Sequence, residues 1–214
     1  MSIAVVQAVE KNTLSSTISA TGSGNGLIVC VSSYNATTQG TVSSVKLGTT
    51  NLIQACSAVD TSDGFCVTWI YYLLNAPSGQ TGITVAGSSL SVVSSDGGVD
   101  VVEVSGLALS SALDKAISNN AANSTYSSGS SGTLAQADEF VIGVADGVSL
   151  SNASGWTAIG TANGRATGYK IVSSTAAQTY TGTAGAPGWC ANLASFKAPS
   201  SILNSAAAAV ASML

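Results

Sequence analysis

The fold class is decided by one stretch of the chain, Val67-Thr68-Trp69-Ile70-Tyr71-Tyr72-Leu73-Leu74-Asn75-Ala76-Pro77-Ser78-Gly79. Large apolar side chains fill both the odd and the even positions from Trp69 to Leu74, and successive side chains of a strand point to opposite faces. A strand that is apolar on both faces is typical of a central strand, covered on both sides by its own protein or by a partner. The residues after Leu74 favour a turn. The stretch therefore predicts a β-strand in the middle of a layered structure.

Outward from this stretch, the chain consists mostly of short apolar or alternating runs bounded by Gly, Ser, Asn and Asp, which is typical of strands. Their content of Val, Ile, Thr and Tyr supports the assignment. Their spacing of roughly 8–12 residues favours an all-β, antiparallel two-sheet sandwich. The predicted strands are Ile3–Val9, Gly26–Ser33, Val42–Leu47, Asn51–Cys56, Phe65–Leu73, Ile83–Ala86, Val99–Glu103, Phe140–Ala145, Thr157–Gly160, Gly168–Val172, Gln178–Thr183 and Ala191–Ala198.

Two neighbouring segments depart from the strand pattern. Ser110–Ile117 has the serine cap and composition of two helical turns, and Ser118–Gly132 is a polar Asn/Ser/Gly segment that predicts a long loop. We find no repeat of about 20–50 residues and no linker that would divide the chain. The sequence therefore predicts one sandwich domain over residues 1–198 and a separate tail over 199–214.

The tail begins at Pro199 and continues through Ser200–Leu214 without a charged residue. The leading proline, the serines and the alanine run favour a helix, with an extended segment as the alternative. An isolated helix of this length is marginal in water, so we expect the tail to dock on its own domain or on a neighbour. The candidate docking residues are Ile202, Leu203, Val210, Met213 and Leu214.

Charged residues make up only 7% of the chain, against about 25% in a typical soluble domain. Long stretches such as residues 12–45 contain none, so Ser, Thr, Asn, Gln and Gly must form much of the surface. Such surfaces suit extracellular proteins and assembled particles, in which neighbours cover each subunit. The absence of a basic cluster argues against nucleic-acid binding, and the absence of an apolar run of about 20 residues argues against a membrane span. The N-terminus lacks the features of a signal peptide. We therefore expect either that the chain was processed before this numbering, or that it is made in the cytoplasm and exported, if at all, by lysis or a dedicated machine.

The sequence contains no histidine, which excludes Ser-His-Asp and Cys-His catalysis and histidine zinc sites. Asp138 and Glu139 are adjacent and would point to opposite faces of a strand, unlike a pair of glycosidase carboxylates. Asp60–Gly64 and Asp96–Asp100 faintly resemble calcium loops, but neither has the closing glutamate, so tight turns are predicted. We therefore predict no enzyme activity and no catalytic, cofactor or metal site, and we disfavour a secreted hydrolase.

The chain has four cysteines, Cys30, Cys56, Cys66 and Cys190, without CxxC spacing. Cys56 and Cys66 flank a predicted turn, so a hairpin would bring them opposite each other. The alternative is that the cysteines are buried free thiols that pack as small hydrophobic residues. A disulfide would require an oxidising compartment.

The chain has three tryptophans, Trp69, Trp156 and Trp189. The first lies in the central strand, and the other two follow the turn glycines Gly155 and Gly188. Core packing is one interpretation of all three. The other is a set of aromatic platforms on which sugar rings of a cell-surface glycan stack.

The order of several segments along the chain resembles that of the concanavalin-type jelly-roll modules of tailed-phage virion proteins, over about residues 1–198. These segments are Ile3–Gln7, Gly26–Ser32, Trp69–Tyr72 with Asn75–Gly79, Val101–Gly106, Asp138–Ala145, Gly155-Trp156 and Ala194–Lys197. Members of this group are head decoration proteins and minor tail or fibre proteins. The resemblance implies a two-sheet jelly roll and a structural role, and it carries over no catalytic residue.

Our first hypothesis is a structural virion protein that decorates or cements the outer surface of a phage head. Its partners would be the major capsid protein and copies of itself, in a homo-oligomer. It would be made in the host cytoplasm and exposed on the virion surface. The alternative hypothesis is a carbohydrate-binding tail or adhesin module.

Overall fold

The computed structural model describes residues 2–62, 64–92, 97–160 and 164–200, and within these ranges the chain forms strands and no helix. The all-β prediction is confirmed. The strands are β1 (Ala4–Lys11), β2 (Ser15–Thr17), β3 (Gly26–Asn35), β4 (Thr41–Leu47), β5 (Thr50–Asn51), β6 (Ile53–Asp60), β7 (Phe65–Leu73), β8 (Gly82–Ser88), β9 (Gly97–Ser105), β10 (Leu113–Ala121), β11 (Thr125–Ser127), β12 (Asp138–Asp146), β13 (Thr157–Gly160), β14 (Arg165–Ser173), β15 (Thr181–Thr183) and β16 (Trp189–Lys197).

The strands pair antiparallel in two central and two outer sheets. The first central sheet has the order β1-β9-β3-β7-β6 and the second has the order β10-β16-β12-β14-β13. The first outer sheet has the order β2-β8-β4-β5, and the second outer sheet is the pair β11-β15. The predicted antiparallel, sandwich-like arrangement is therefore confirmed, but the described strands form four sheets and not the predicted two.

Three apolar cores separate these sheets. The first core joins the first outer sheet to the first central sheet, for example Val45 and Leu47 with Val29 and Val31. The middle core joins the two central sheets and includes Ile28, Ile70, Phe140, Ile142 and Phe196. The third core lies between the second central sheet and the second outer sheet with its neighbouring loops, and contains Tyr126, Val141, Tyr180, Trp189 and Leu193. Both central sheets are thus buried on both faces.

Strand β7 shows how the deciding stretch fits this arrangement. It lies between β3 and β6, with Trp69 and Tyr71 in the first core and Ile70 in the middle core. The prediction of a central strand covered on both sides is confirmed, and the covering layers belong to this same chain.

The two halves of the chain, β1–β9 and β10–β16, use the same strand order. In the central sheets, β1, β9, β3, β7 and β6 correspond in turn to β10, β16, β12, β14 and β13. In the outer sheets, the pair β2-β8 corresponds to β11-β15. The halves meet through the middle core, where β6 and β7 lie against β16.

Each predicted strand overlaps an observed one, and Phe65–Leu73 and Thr157–Gly160 have the predicted bounds. The helix predicted at Ser110–Ile117 is wrong, because Leu113–Ala121 pairs with β16 as a strand. The loop predicted at Ser118–Gly132 is also wrong: it contains the end of β10 and all of β11. Beyond β11, the backbone N–H of Ser131 donates to Gln178 O at 2.9 Å. The helical or extended tail predicted after Ser200 lies outside the described residues.

Candidate functional site: a nearly uncharged outer surface

Few charged side chains of the outer surface are fully exposed. Among charged residues within the described ranges, only Asp138 is exposed, and the rest are half-buried or buried. The buried charged residues are Asp60, Asp100, Glu103, Glu139, Asp146 and Arg165. Six of the fourteen charged residues in the described ranges are therefore fully buried, and seven more are partly covered.

The burial of these groups changes the charge that the surface presents. The buried set contains five acids and one arginine, so it accounts for the whole formal charge of −4. Outside this buried set, the described ranges hold five lysines and three acids, Glu10, Asp114 and Asp138, whose charges sum to +2. So small a net charge repels other copies only weakly, which favours association.

Glu103 on β9 is buried and fully engaged by neighbouring segments. Its Oε1 accepts hydrogen bonds from the backbone N–H of Gly22 at 2.7 Å and from Asn25 Nδ2 at 2.6 Å. Its Oε2 accepts one from Gln7 Nε2 at 2.6 Å. This carboxylate ties the segment before β3 to β1, which is a structural role.

Arg165 on β14 links the two halves of the molecule. Its Nη2 lies 2.5 Å from Glu10 Oε1 and 3.4 Å from Asp100 Oδ1, both in the first half. Its Nη1 donates to Asn12 Oδ1 at 3.1 Å and to the carbonyl of Gly97. Burial raises the pKa of Asp100 to about 6, because desolvation outweighs the opposing attraction of the Arg165 guanidinium. The Arg165 and Asp100 side chains are enclosed, and the cluster serves packing between the halves.

The structure separates the three tryptophans. Trp69 is 7% exposed in the first core, and Trp189 is 1% exposed in the third core, where its Nε1 donates to Asn123 Oδ1 at 3.2 Å. Burial therefore removes both rings from the predicted set of glycan platforms, because a sugar cannot reach them.

Trp156 is the tryptophan that reaches the surface, and it is half-buried. Its ring packs edge-on against Tyr180, with the ring centroids 4.9 Å apart. Lys170 Nζ lies 4.5 Å from the ring centroid, which is a cation–π contact. A sugar stacking on that face would have to displace the lysine.

The predicted docking residues Ile202, Leu203, Val210, Met213 and Leu214 lie outside the described residues. The described chain reaches Ser200 beside a surface depression. The residues that line this depression are Ala135, Gln136, Ala137, Asp138, Ala198, Pro199 and Ser200. A smaller adjoining hollow is lined by Ser2, Ile3, Asp138, Ile171 and Ala198. We call the surface around these two hollows the tail face.

The predicted turn at Asp60 is stabilised by its side chain. Asp60 Oδ1 accepts hydrogen bonds from the backbone N–H of Ser62 at 3.0 Å and from the Ser62 hydroxyl at 2.5 Å. Within the described ranges, no group of three or more Cys, Asp or Glu side chains is arranged to hold a metal ion. The same residues include no helix of the length and apolarity needed to cross a membrane.

All four cysteines are buried and free. The interpretation that a hairpin places Cys56 opposite Cys66 is wrong, because Cys56 lies opposite Ile70 and Cys66 lies opposite Asp60. The alternative, buried free thiols, is confirmed. The cysteine close to Cys66 is Cys190 of the other half, at an Sγ–Sγ distance of 2.8 Å. No sequence signal joins two cysteines so far apart along the chain.

No protein-family model and no curated protein matches this chain. Among solved structures, it is similar to a conserved protein of unknown function from Pseudomonas aeruginosa PAO1, at 12% sequence identity and a TM-score of 0.31. The alignment covers 89% of this chain and 77% of that chain. A likeness this weak carries no argument about function.

Proposed function

We propose that the protein is a structural virion component, a decoration or cement protein that binds the outer surface of a tailed-phage head. The observation that supports this proposal is the outer surface, on which Asp138 is the exposed charged residue within the described ranges. A free protein commonly stays soluble through a surface with many exposed charges of both signs, and this chain exposes few. Neighbouring subunits in a shell would cover such a surface.

The strand order supports a jelly roll in the first half. In the first half, β1-β9-β3-β7 faces β2-β8-β4-β5, an order in which early and late strands alternate within both sheets. This alternation is what two interlocked Greek keys produce, and jelly rolls of this kind build viral capsid proteins, lectins and cupins. Because one fold hosts several functions, this topology is compatible with the virion hypothesis but does not distinguish it from the alternatives.

Binding to the head would depend on buried area and repetition. Apolar burial contributes about 25 cal/mol per Å², and the costs of association reduce this gain. Repeated copies on a lattice would add avidity. The proposed partners are the major capsid protein and copies of this chain, at a site exposed on the virion after synthesis in the host cytoplasm.

Deleting residues 201–214 tests the tail as an anchor. We expect the truncated protein to retain its circular dichroism spectrum and melting temperature, and to bind purified particles at least about tenfold more weakly because the loss of apolar contacts is multiplied over the lattice. The substitutions Ser201→Ala and Asn204→Ala, which keep the apolar residues, form the matched control. Full retention of the truncated protein on particles would exclude the tail as the anchor.

The alternative, a carbohydrate-binding tail or adhesin module, is favoured by one observation, the half-exposed ring of Trp156 beside Lys170. If this alternative holds, glycan-array binding will be lost in Trp156→Ala while the protein stays folded. Lys170→Ala frees one face of the ring and should preserve or strengthen such binding. Absence of glycan binding by the unmodified protein would leave the decoration hypothesis.

A further inference from the structure

Two buried thiols from opposite halves of the molecule lie in contact. Cys66 belongs to β7 in the first central sheet, and Cys190 belongs to β16 in the second. Their Sγ atoms are 2.8 Å apart, only about 0.8 Å more than the length of an S–S bond. The two residues are separated by 124 positions in the sequence.

The surroundings fix this pair in place. The Cys66 thiol donates to the backbone carbonyl of Asp146 at 3.0 Å, and the Thr68 hydroxyl lies 3.5 Å from Cys190 Sγ. Next to this position on β16, Asn192 Nδ2 donates to the carbonyl of Thr68 at 2.9 Å, so β7 and β16 are held together independently of the thiols. Cys56 differs from this pair, because its thiol donates to the backbone carbonyl of Leu193, with 3.8 Å between Sγ and O.

We propose that Cys66 and Cys190 are the site of a disulfide that joins the two halves when the chain meets an oxidant of the disulfide class, such as oxidised glutathione. The Cys66 thiolate attacks a glutathione sulfur, forming a mixed disulfide and releasing one glutathione thiolate. The Cys190 thiolate then attacks the Cys66 sulfur and displaces the second glutathione. Two protein thiols are oxidised, one glutathione disulfide is reduced, and the two protons pass to the released glutathione thiolates.

The folded protein protects the pair from rapid reaction. Burial raises the pKa of both thiols, so little thiolate is present near neutral pH. Glutathione also has no access to side chains buried in the interface between the halves. The bond therefore forms during folding or local opening, and it closes when β7 packs on β16.

The proposal is tested by refolding the full chain from urea in a buffer of oxidised and reduced glutathione, with a parallel sample in dithiothreitol. After denaturation, alkylation should label four thiols in the reduced sample and two in the oxidised one. Peptide mapping should place the bond between Cys66 and Cys190. Because the bond closes a long loop, the melting temperature should rise by roughly 5–15 °C.

Variants separate this pair from the other thiols. The double substitution Cys30→Ser and Cys56→Ser should retain the bond and the shift in melting temperature, whereas Cys190→Ala should abolish both. If a variant fails to fold, the peptide map of the unmodified chain still shows whether Cys66 and Cys190 are bonded. Four reactive thiols after oxidative refolding, or a bond between any other pair, would overturn the proposal. The outcome does not depend on whether the protein belongs to a virion.

Discussion

Single residues show how the buried charged side chains of this protein are stabilised within the fold. Glu103 receives three hydrogen bonds, and Arg165 contacts carboxylates of the other half. Buried charges need such partners, because an unpaired charge in the interior is costly. The acids act as fixed attachment points between segments, and burial removes five of them and one arginine from the surface.

Asp100 predicts an unusual dependence of stability on pH. Its folded pKa of about 6 lies above its ordinary value near 3.8, so the folded state binds the proton first as the pH falls. The stabilisation that comes from protonation of Asp100 is complete below the pKa of the unfolded state, and it is lost as the pH rises through the pKa of the folded state. Asp100 should therefore make the protein more stable at pH 4.5 than at pH 7, by about 2 kcal/mol at most. Burial raises the pKa of Glu139 as well, which acts in the same direction.

Urea denaturation of the native protein and of Asp100→Asn across this pH range measures the effect. The variant should lose most of the gain on acidification, whereas Asp138→Asn, which changes an exposed carboxylate, should follow the native protein. Parallel stability curves for the native protein and Asp100→Asn would show that the carboxyl does not take up a proton in this range.

Strands were the part of the fold that the sequence could predict. Runs such as Phe65–Leu73 carry their own pattern and turn signals, so their positions follow from local chemistry. The position of β10 does not follow from local chemistry, because Lys115, Ala116 and Ile117 suit a helix and pairing with β16 overrides this preference. The burial of Asp100 and Glu139 could have been suspected from their places within or beside apolar strands, but not their partners.

The edges of the sheets are protected with little use of charge. Each edge strand of the two central sheets, namely β1, β6, β10 and β13, pairs with its neighbour through a shift in register. In the first outer sheet, the edge strands β2 and β5 are only three and two residues long. Bulges and short edges hinder uncontrolled pairing with other chains. In the proposed virion role, such protection would limit association to the proper interface.

Contacts between sheets depend on glycines that leave room for aromatic rings. A Cβ added at Gly143 on β12 would lie 2.1 Å from Tyr180 Cγ, in the third core. We expect Gly143→Ala to lower the free energy of unfolding by about 1–3 kcal/mol, because the buried ring has to move. Gly82→Ala on β8, where no atom lies within 4 Å, is the matched control and should change stability by less than about 0.5 kcal/mol. Equal effects of the two substitutions in urea denaturation would contradict the described packing.

At the scale of the whole molecule, the sequence did not reveal that the halves share a strand order. Such a correspondence depends on pairings between distant strands, such as β1 with β9 and β10 with β16, and no local pattern encodes it. The candidate site was predictable in kind, since low charge is a property of composition. The extent of this surface could not be predicted, because composition does not show which charged residues are buried.

The small number of exposed charges predicts that particle binding depends little on salt. Between about 50 mM and about 500 mM NaCl, the affinity for purified particles should change less than about threefold, because few charged contacts exist to be screened. Ile171→Lys adds a charge at the tail face, where the side chain is 48% exposed, and should weaken binding. Ile171→Thr is its uncharged control. A loss of affinity of more than about tenfold in the unmodified protein would point to an electrostatic interface instead.

The most direct test of the central claim is to find this chain on native particles. Phage particles that contain the gene for this protein should carry the protein in a constant molar ratio to the major shell protein. Immunogold label directed at this protein should cover the head. If the chain stays in the supernatant as a free monomer while the particles sediment without it, the proposed role is wrong.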